Sequence, residues 1–94
     1  DLLVGNAKQK YAIECKTSRN HKKYLNKEQI RELEYFAKHF GLTPMIAIKF
    51  LHNGWHFIEP NKLRETEKGI AIHLTDVQRK GKTFEQFALS GPKK

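Results

Sequence analysis

Ninety-four residues with eighteen Lys plus Arg against ten Asp plus Glu, a formal net charge of +8, describe one small basic domain suited to a polyanionic partner, nucleic acid before a membrane surface. A single Cys excludes an internal disulfide, and the five His have no metal-ligand spacing, which sets a zinc site aside. No signal peptide, long apolar run or basic amphipathic helix is visible, so the expected setting is intracellular and away from membranes.

The chain opens with two apolar stretches, Asp1 to Gly5 and Lys10 to Thr17, separated by the polar residues Asn6 to Gln9. A four-residue turn there pairs Gly5 with Lys10, Leu3 with Ala12 and Asp1 with Glu14, and opposed residues of an antiparallel pair project to the same face. Two carboxylates about 5 Å apart repel unless a cation lies between them. A hard divalent ion such as Mg²⁺, with Mn²⁺ as a substitute, takes oxygen ligands of this kind, and the Cys15 carbonyl borders the same place. Lys16 lies two residues past Glu14 on the same strand face, within reach of a phosphate at that ion. The bland reading is a solvated Glu-x-Lys pair on an outer strand face. Against it, acidic residues are depleted in strands whose neighbours are Leu3, Val4, Ala12 and Ile13, which favours a site. The Cys15 side chain points the other way and reads as a buried small hydrophobe.

Ser18 to Tyr24 is polar and basic without periodicity and reads as a loop. It leaves the strand just after Lys16, so Arg19, Lys22 and Lys23 are placed to neutralise phosphates beside the metal site. Tyr24 either stacks or anchors this loop. Asn26 caps a helix, Lys27 to Phe40, with Glu28 in its first turn and Gly41 terminating it. Ile30, Leu33, Ala37 and Phe40 form the stripe that packs on the sheet, and Gln29 either touches the site or faces solvent. Phe36 and Phe40 stack as an i, i+4 pair: core packing accounts for Phe40, and surplus apolar surface at Phe36 points to an interface between copies.

Pro44 opens a nearly continuous apolar strand, Met45 to Leu51, central in the sheet. Asn53-Gly54 reads as a type I′ turn returning into Trp55 to Glu59, with Trp55 and Phe57 on a shared core-facing side. Lys49, the one charge in the middle of that strand, either snorkels from an edge or points to the phosphate side of the site. After Pro60 the charged stretch Asn61 to Lys68 is a connection, and Ile70 to Leu74 is a short strand with Ile70, Ile72 and Leu74 inward. Thr75 to Lys82 is polar and basic. Thr83 with Gln86 forms a capping box for a helix from Phe84 to about Ala88, with Phe84 and Phe87 covering a sheet face, and residues 90–94 fray.

Asp1-x12-Glu14-x-Lys16 across a hairpin resembles the core of the metal-dependent nucleases whose motif is written PD-(D/E)xK. The succession Asp1-Leu2-Leu3-Val4-Gly5-Asn6, Ile13-Glu14-Cys15-Lys16, Glu34-Tyr35-Phe36-Ala37-Lys38-His39-Phe40-Gly41 and Ala47 to Glu59 is similar to that of the archaeal Holliday junction resolvases. The resemblance implies a restriction-endonuclease-like α/β (α+β) domain spanning residues 1–94, a mixed, mainly antiparallel sheet flanked by helices. It implies a Mg²⁺-dependent homodimer that cuts four-way junction DNA in two opposed strands, with Asp1, Glu14 and Lys16 catalytic. That family carries an N-terminal segment before the Asp, with a helix that supplies a further acidic residue. Here the chain starts at Asp1, so that acid is expected to be absent or not included. Three alternatives stand beside this reading: a restriction- or repair-type endonuclease on the same core, a catalytically silent nucleic-acid-binding module, and a purely structural protein with a charged surface.

Overall fold

The computed structural model describes residues 2–5 and 10–90, the first four and Ser90 as backbone only. Strand β1 (Leu2–Gly5) lies antiparallel to β2 (Lys10–Ser18), with Leu2 opposite Ile13, Leu3 opposite Ala12, Val4 opposite Tyr11 and Gly5 opposite Lys10. This is the expected register. The pairing of Asp1 with Glu14, the turn at 6–9 and the fraying of 91–94 fall outside the described residues.

A short strand β3 (Lys22–Leu25) leads into helix α1 (Lys27–His39). The Asn26 side-chain oxygen accepts the Glu28 backbone N–H at 2.7 Å. At the far end Gly41 takes φ 68°, and the Leu42 N–H donates to the Ala37 carbonyl at 2.7 Å. Both ends of the helix are therefore set locally, by a side chain that satisfies a free N–H and by a residue without a Cβ. The helix is the crossover that lets β4 (Thr43–Phe50) run parallel to β2, from Tyr11 opposite Thr43 to Ser18 opposite Phe50.

β5 (Trp55–Ile58) returns antiparallel to β4, and a 3-10 turn (Pro60–Lys62) follows. Then come β6 (Arg64–Glu65), β7 (Ile70–His73), α2 (Leu74–Lys80), β8 (Lys82–Thr83) and α3 (Phe84–Ser90). Among the described residues the main sheet has the order β1-β2-β4-β5-β8, in which only β2 and β4 are parallel, and β3, β7 and β6 make a second sheet of three strands. The mixed, mainly antiparallel architecture is the one expected.

Alternation along β2 and β4 gives the main sheet two different faces. Ala12, Ile46, Ile48, Phe50 and Ile58 pack with Leu25, Ile30, Leu33, Ala37, Ile70, Ile72 and Val77 into the larger core. On the other face Tyr11, Ile13, Met45, Ala47 and Phe57 form a smaller cluster, capped by Trp55 and Phe87. The Phe87 ring stacks on Phe57 at 4.2 Å between centroids and meets Tyr11 at 4.9 Å. Burial, with a further contribution from the Glu59 carboxylate, raises the Tyr11 phenol above its ordinary 10.0.

Several local expectations need correction, among them the connection Asn61 to Lys68, which contains strand β6. Lys22 to Tyr24 is not loop but most of β3, held by its pairing with β7. The connection after β4 is not a two-residue type I′ turn: the last pair is Lys49 with Trp55, and the positive φ values are at His52 and Gly54, not Asn53. Three bonds stabilise this wider loop, Leu51 N–H to the Ser18 carbonyl at 3.0 Å, Asn53 N–H to the Phe50 carbonyl at 2.9 Å and the Asn53 side-chain amide to the Leu51 carbonyl at 2.8 Å. The segment after His73 coils into α2, where the Asp76 carboxylate accepts the His73 N–H at 3.4 Å, so Leu74 belongs to a helix. Cys15 is exposed, although its β4 partner Ala47 on the same face is buried. Phe40 is 60% exposed while Phe36 leans on the core, the reverse of the expected roles. The Thr83–Gln86 capping box is as expected, with reciprocal bonds of 2.9 and 3.1 Å, and Phe87 covers the sheet while Phe84 stays 61% exposed.

Candidate active site

The chemistry-bearing residues of β2 lie on the α1 side of the main sheet. Ala12, Glu14 and Lys16 alternate onto that face, and Tyr11, Ile13 and Cys15 onto the opposite one. The Lys16 ammonium lies 3.4 Å from a Glu14 carboxylate oxygen, and both side chains are about three-quarters shielded from solvent. The same ammonium approaches the Gln29 side-chain oxygen at 3.5 Å. Gln29 is in the first turn of α1, so the Asn26 cap that fixes where the helix starts also fixes this contact. One cation is thus held between two oxygens on different elements.

The donor set suits a hard ion. Glu14 offers carboxylate oxygens on an interior strand of the main sheet, three-quarters shielded, and Mg²⁺ commonly uses one or two carboxylates and keeps several waters. Among the described residues no three His, Cys, Asp or Glu gather into a cluster. Asp1, the expected second carboxylate, lies outside those residues.

The expected phosphate-binding residues divide between surfaces. Arg19 and Lys22 are exposed, whereas Lys23 projects to the same side of β3 as the buried Leu25 and is half-buried. Lys49 pairs with Thr17 and shares the face of Met45 and Ala47. It is exposed on the side of the sheet away from Glu14 and Lys16, and the expectation that it points into their site does not hold in this chain. Cys15 is also on that side, where it borders an apolar cavity of about 220 Å³ with Ile13, Ala47, Trp55, Phe57 and Phe87. Phe36 and Phe40 lie near the end of α1, their rings 4.7 Å apart. Gln29 is the residue that sequence reasoning left open. Its signal was position alone, three residues after a cap in a helix that must cross over β2.

Comparison with known proteins places this arrangement. The model of a family described as archaeal Holliday junction resolvase (Hjc) matches residues 1–90. A protein of Methanocaldococcus jannaschii named crossover junction endodeoxyribonuclease Hjc is 40% identical over 95 residues, covering 90% of this chain and 70% of its own length. One of the same name from Archaeoglobus fulgidus is 32% identical over 72 residues, covering 77% of this chain and 53% of its own length. The structure of the Archaeoglobus fulgidus Hjc, titled a Holliday junction resolvase from an archaeal hyperthermophile, superposes with a TM-score of 0.84 and 28% identity, over 92% of this chain and 70% of that one. The match runs unbroken through both strands of the first hairpin, the crossover helix and the small sheet, and the chain belongs to the archaeal Holliday junction resolvase family.

Proposed function

We propose that this chain is the nuclease domain of a junction-resolving endodeoxyribonuclease, acting over residues 1–94 as one unit inside the cell. The relatives' names support the activity and four-way junction DNA as substrate. The observation that carries the assignment to residues is the shielded Glu14–Lys16 pair, 3.4 Å apart, with Gln29 against the same ammonium.

Asp1, Glu14 and the Cys15 carbonyl would hold Mg²⁺, or Mn²⁺ in its place. When bound, such an ion lowers the pKa of its water, supplying hydroxide, and polarises the scissile phosphate. Lys16 places its ammonium at the phosphate oxygens, where negative charge builds up in an in-line displacement. Gln29 holds that ammonium in place before the DNA arrives, so less reorganisation is needed at the moment of reaction. Arg19, Lys22 and Lys23 neutralise flanking phosphates, and the preference for a junction comes from shape and backbone placement, since no helix here is rich in base-reading side chains.

A homodimer fits this task. Two sites related by a two-fold axis suit a junction with near two-fold symmetry, and the Phe36–Phe40 patch at the end of α1 supplies apolar surface for the contact. The test is cleavage of a synthetic four-way junction in Mg²⁺ by the wild type and by Glu14→Ala. Paired nicks by the wild type, with binding but no cutting by the variant, are the expected result. Binding without cutting by both proteins would favour a silent DNA-binding module, and products at one fixed sequence would favour a restriction- or repair-type enzyme.

A further inference from the structure

The second sheet has an outward face of which the reaction above uses only Lys22. Lys22 and Tyr24 share that face of β3, because Leu25 next to them is turned into the core. Across the sheet Tyr24 is opposite Ala71, Ala71 is opposite Arg64, and Lys22 is opposite His73. A row is formed in which a small side chain separates a phenol ring from a guanidinium-bearing residue, with further basic groups one pair along. The Tyr24 ring is 57% exposed and the Lys22 ammonium stands 5.1 Å from its centroid. Beside the ring opens a cavity of about 620 Å³, bounded by Thr66, Glu67 and Lys68.

Each part has an ordinary explanation alone, and together they make a surface for one ligand class. An exposed ring offers a π-face to any flat base, and sheets that present an aromatic among cations are a recurrent platform for unpaired nucleotides. Lys22, Arg64 and Lys68 outnumber the single acid, Glu67, so the surface favours a polyanion over a cationic partner such as a Lys-rich peptide. The location is also suitable. β3 passes through Asn26 directly into α1, whose first turn carries the Gln29 that touches Lys16.

We propose that Tyr24 is a stacking platform for an unpaired DNA base next to the branch point, with Lys22 leaving the ring to neutralise the adjoining phosphate and Arg64 and Lys68 holding the strand on either side. This rests on the junction reading for the source of the base. It adds a way to recognise interrupted pairing that backbone contacts do not provide.

The experiment uses the full chain and a four-way junction carrying 2-aminopurine beside the branch point, a linear duplex, and a single-stranded oligonucleotide with the same probe. With the wild type, the probe fluorescence changes on binding to the junction and to the single strand. Tyr24→Leu is expected to remove that change and weaken both by about tenfold, leaving the duplex unaffected, while Tyr24→Trp retains it. The substitution is on an exposed ring, and an unchanged urea midpoint excludes misfolding as the cause. Equal fluorescence changes and affinities for wild type and Tyr24→Leu overturn the proposal, and so does an equal loss on all three DNAs. If the wild type neither binds nor cuts the junction, the junction reading has failed, and the single-strand arm still decides the role of Tyr24.

Discussion

The Lys16 ammonium and the Gln29 side-chain oxygen meet at 3.5 Å across thirteen residues of sequence, strand to helix. A hydrogen bond to a charged group is worth roughly 1.5–3 kcal/mol when shielded and less where water competes. Gln29→Leu is therefore expected to lower kcat for junction cleavage by about three- to tenfold while the Kd for the junction stays put. Single-turnover cleavage alongside a binding isotherm separates the two. A change confined to Kd would mean that Gln29 contacts DNA and does not position Lys16.

Gly69 adopts φ 155°, and a Cβ placed there would run into the backbone carbonyl oxygen of Leu25. That approach is what lets β7 lie against β3, so Gly69→Ala has to move backbone as well as adopt an angle that L side chains avoid. A loss of about 2 kcal/mol or more is expected, seen as a lowered urea midpoint at an unchanged m-value. A midpoint equal to the wild type's would show that the close approach is not kept in solution.

The raised pKa of Tyr11 ties stability to alkaline pH. Burial comes first and the Glu59 carboxylate second, and both favour the neutral phenol in the folded chain. Between the unfolded value near 10.0 and the higher folded one, the unfolded chain has lost its proton while the folded chain keeps it. The stabilisation is thus fully present below pH 10 and is lost as pH rises through the folded pKa. Tyr11→Phe should flatten that decline in stability measured from pH 9 upward. An identical slope in both proteins would assign the alkaline loss to other groups.

Phe40 is 60% exposed and its ring packs at a tilt against Phe36, which is itself seated on the core. If this pair is where two copies meet, Phe40→Ser weakens dimerisation by about tenfold or more with little change in the monomer's own stability, whereas Phe36→Ser costs both. Sedimentation equilibrium over a range of concentrations reads the first effect and thermal unfolding of diluted protein the second. A Phe40→Ser protein that dimerises like the wild type would place the contact elsewhere.

What the sequence made legible is unequal, for reasons that can be traced to particular residues. The β1–β2 register could be read because alternation has a period of two and the residues between the strands fit a tight connection, which leaves one alignment that keeps Leu3 and Ala12 on the same side. Asn26, Gly41 and the Thr83–Gln86 box were legible because caps act within four residues. β3 was not: Lys22-Lys23-Tyr24-Leu25 buries a single side chain, Leu25, so its strand character comes from pairing with a segment far along the chain. α2 was hidden for a similar reason, since its buried positions are only Asp76 and Val77. The Asn53-Gly54 rule lost to a neighbour, because His52 took the left-handed angle and widened the loop. The exposure of Cys15 depends on what covers the sheet, which alternation alone does not report.

The side-by-side alignment of β2 and β4 also governs how the chain can reach its fold. Partners such as Tyr11 and Thr43 gain nothing from each other until everything between them has been drawn back, so the entropy of closing that stretch is spent before the first rung forms. A preformed α1 shortens the search, and the cap at its start becomes a lever on speed. Asn26→Ala should slow refolding nearly in proportion to its loss of stability, giving a φ-value close to one, and a value near zero would mean that the two strands find each other before the helix between them winds.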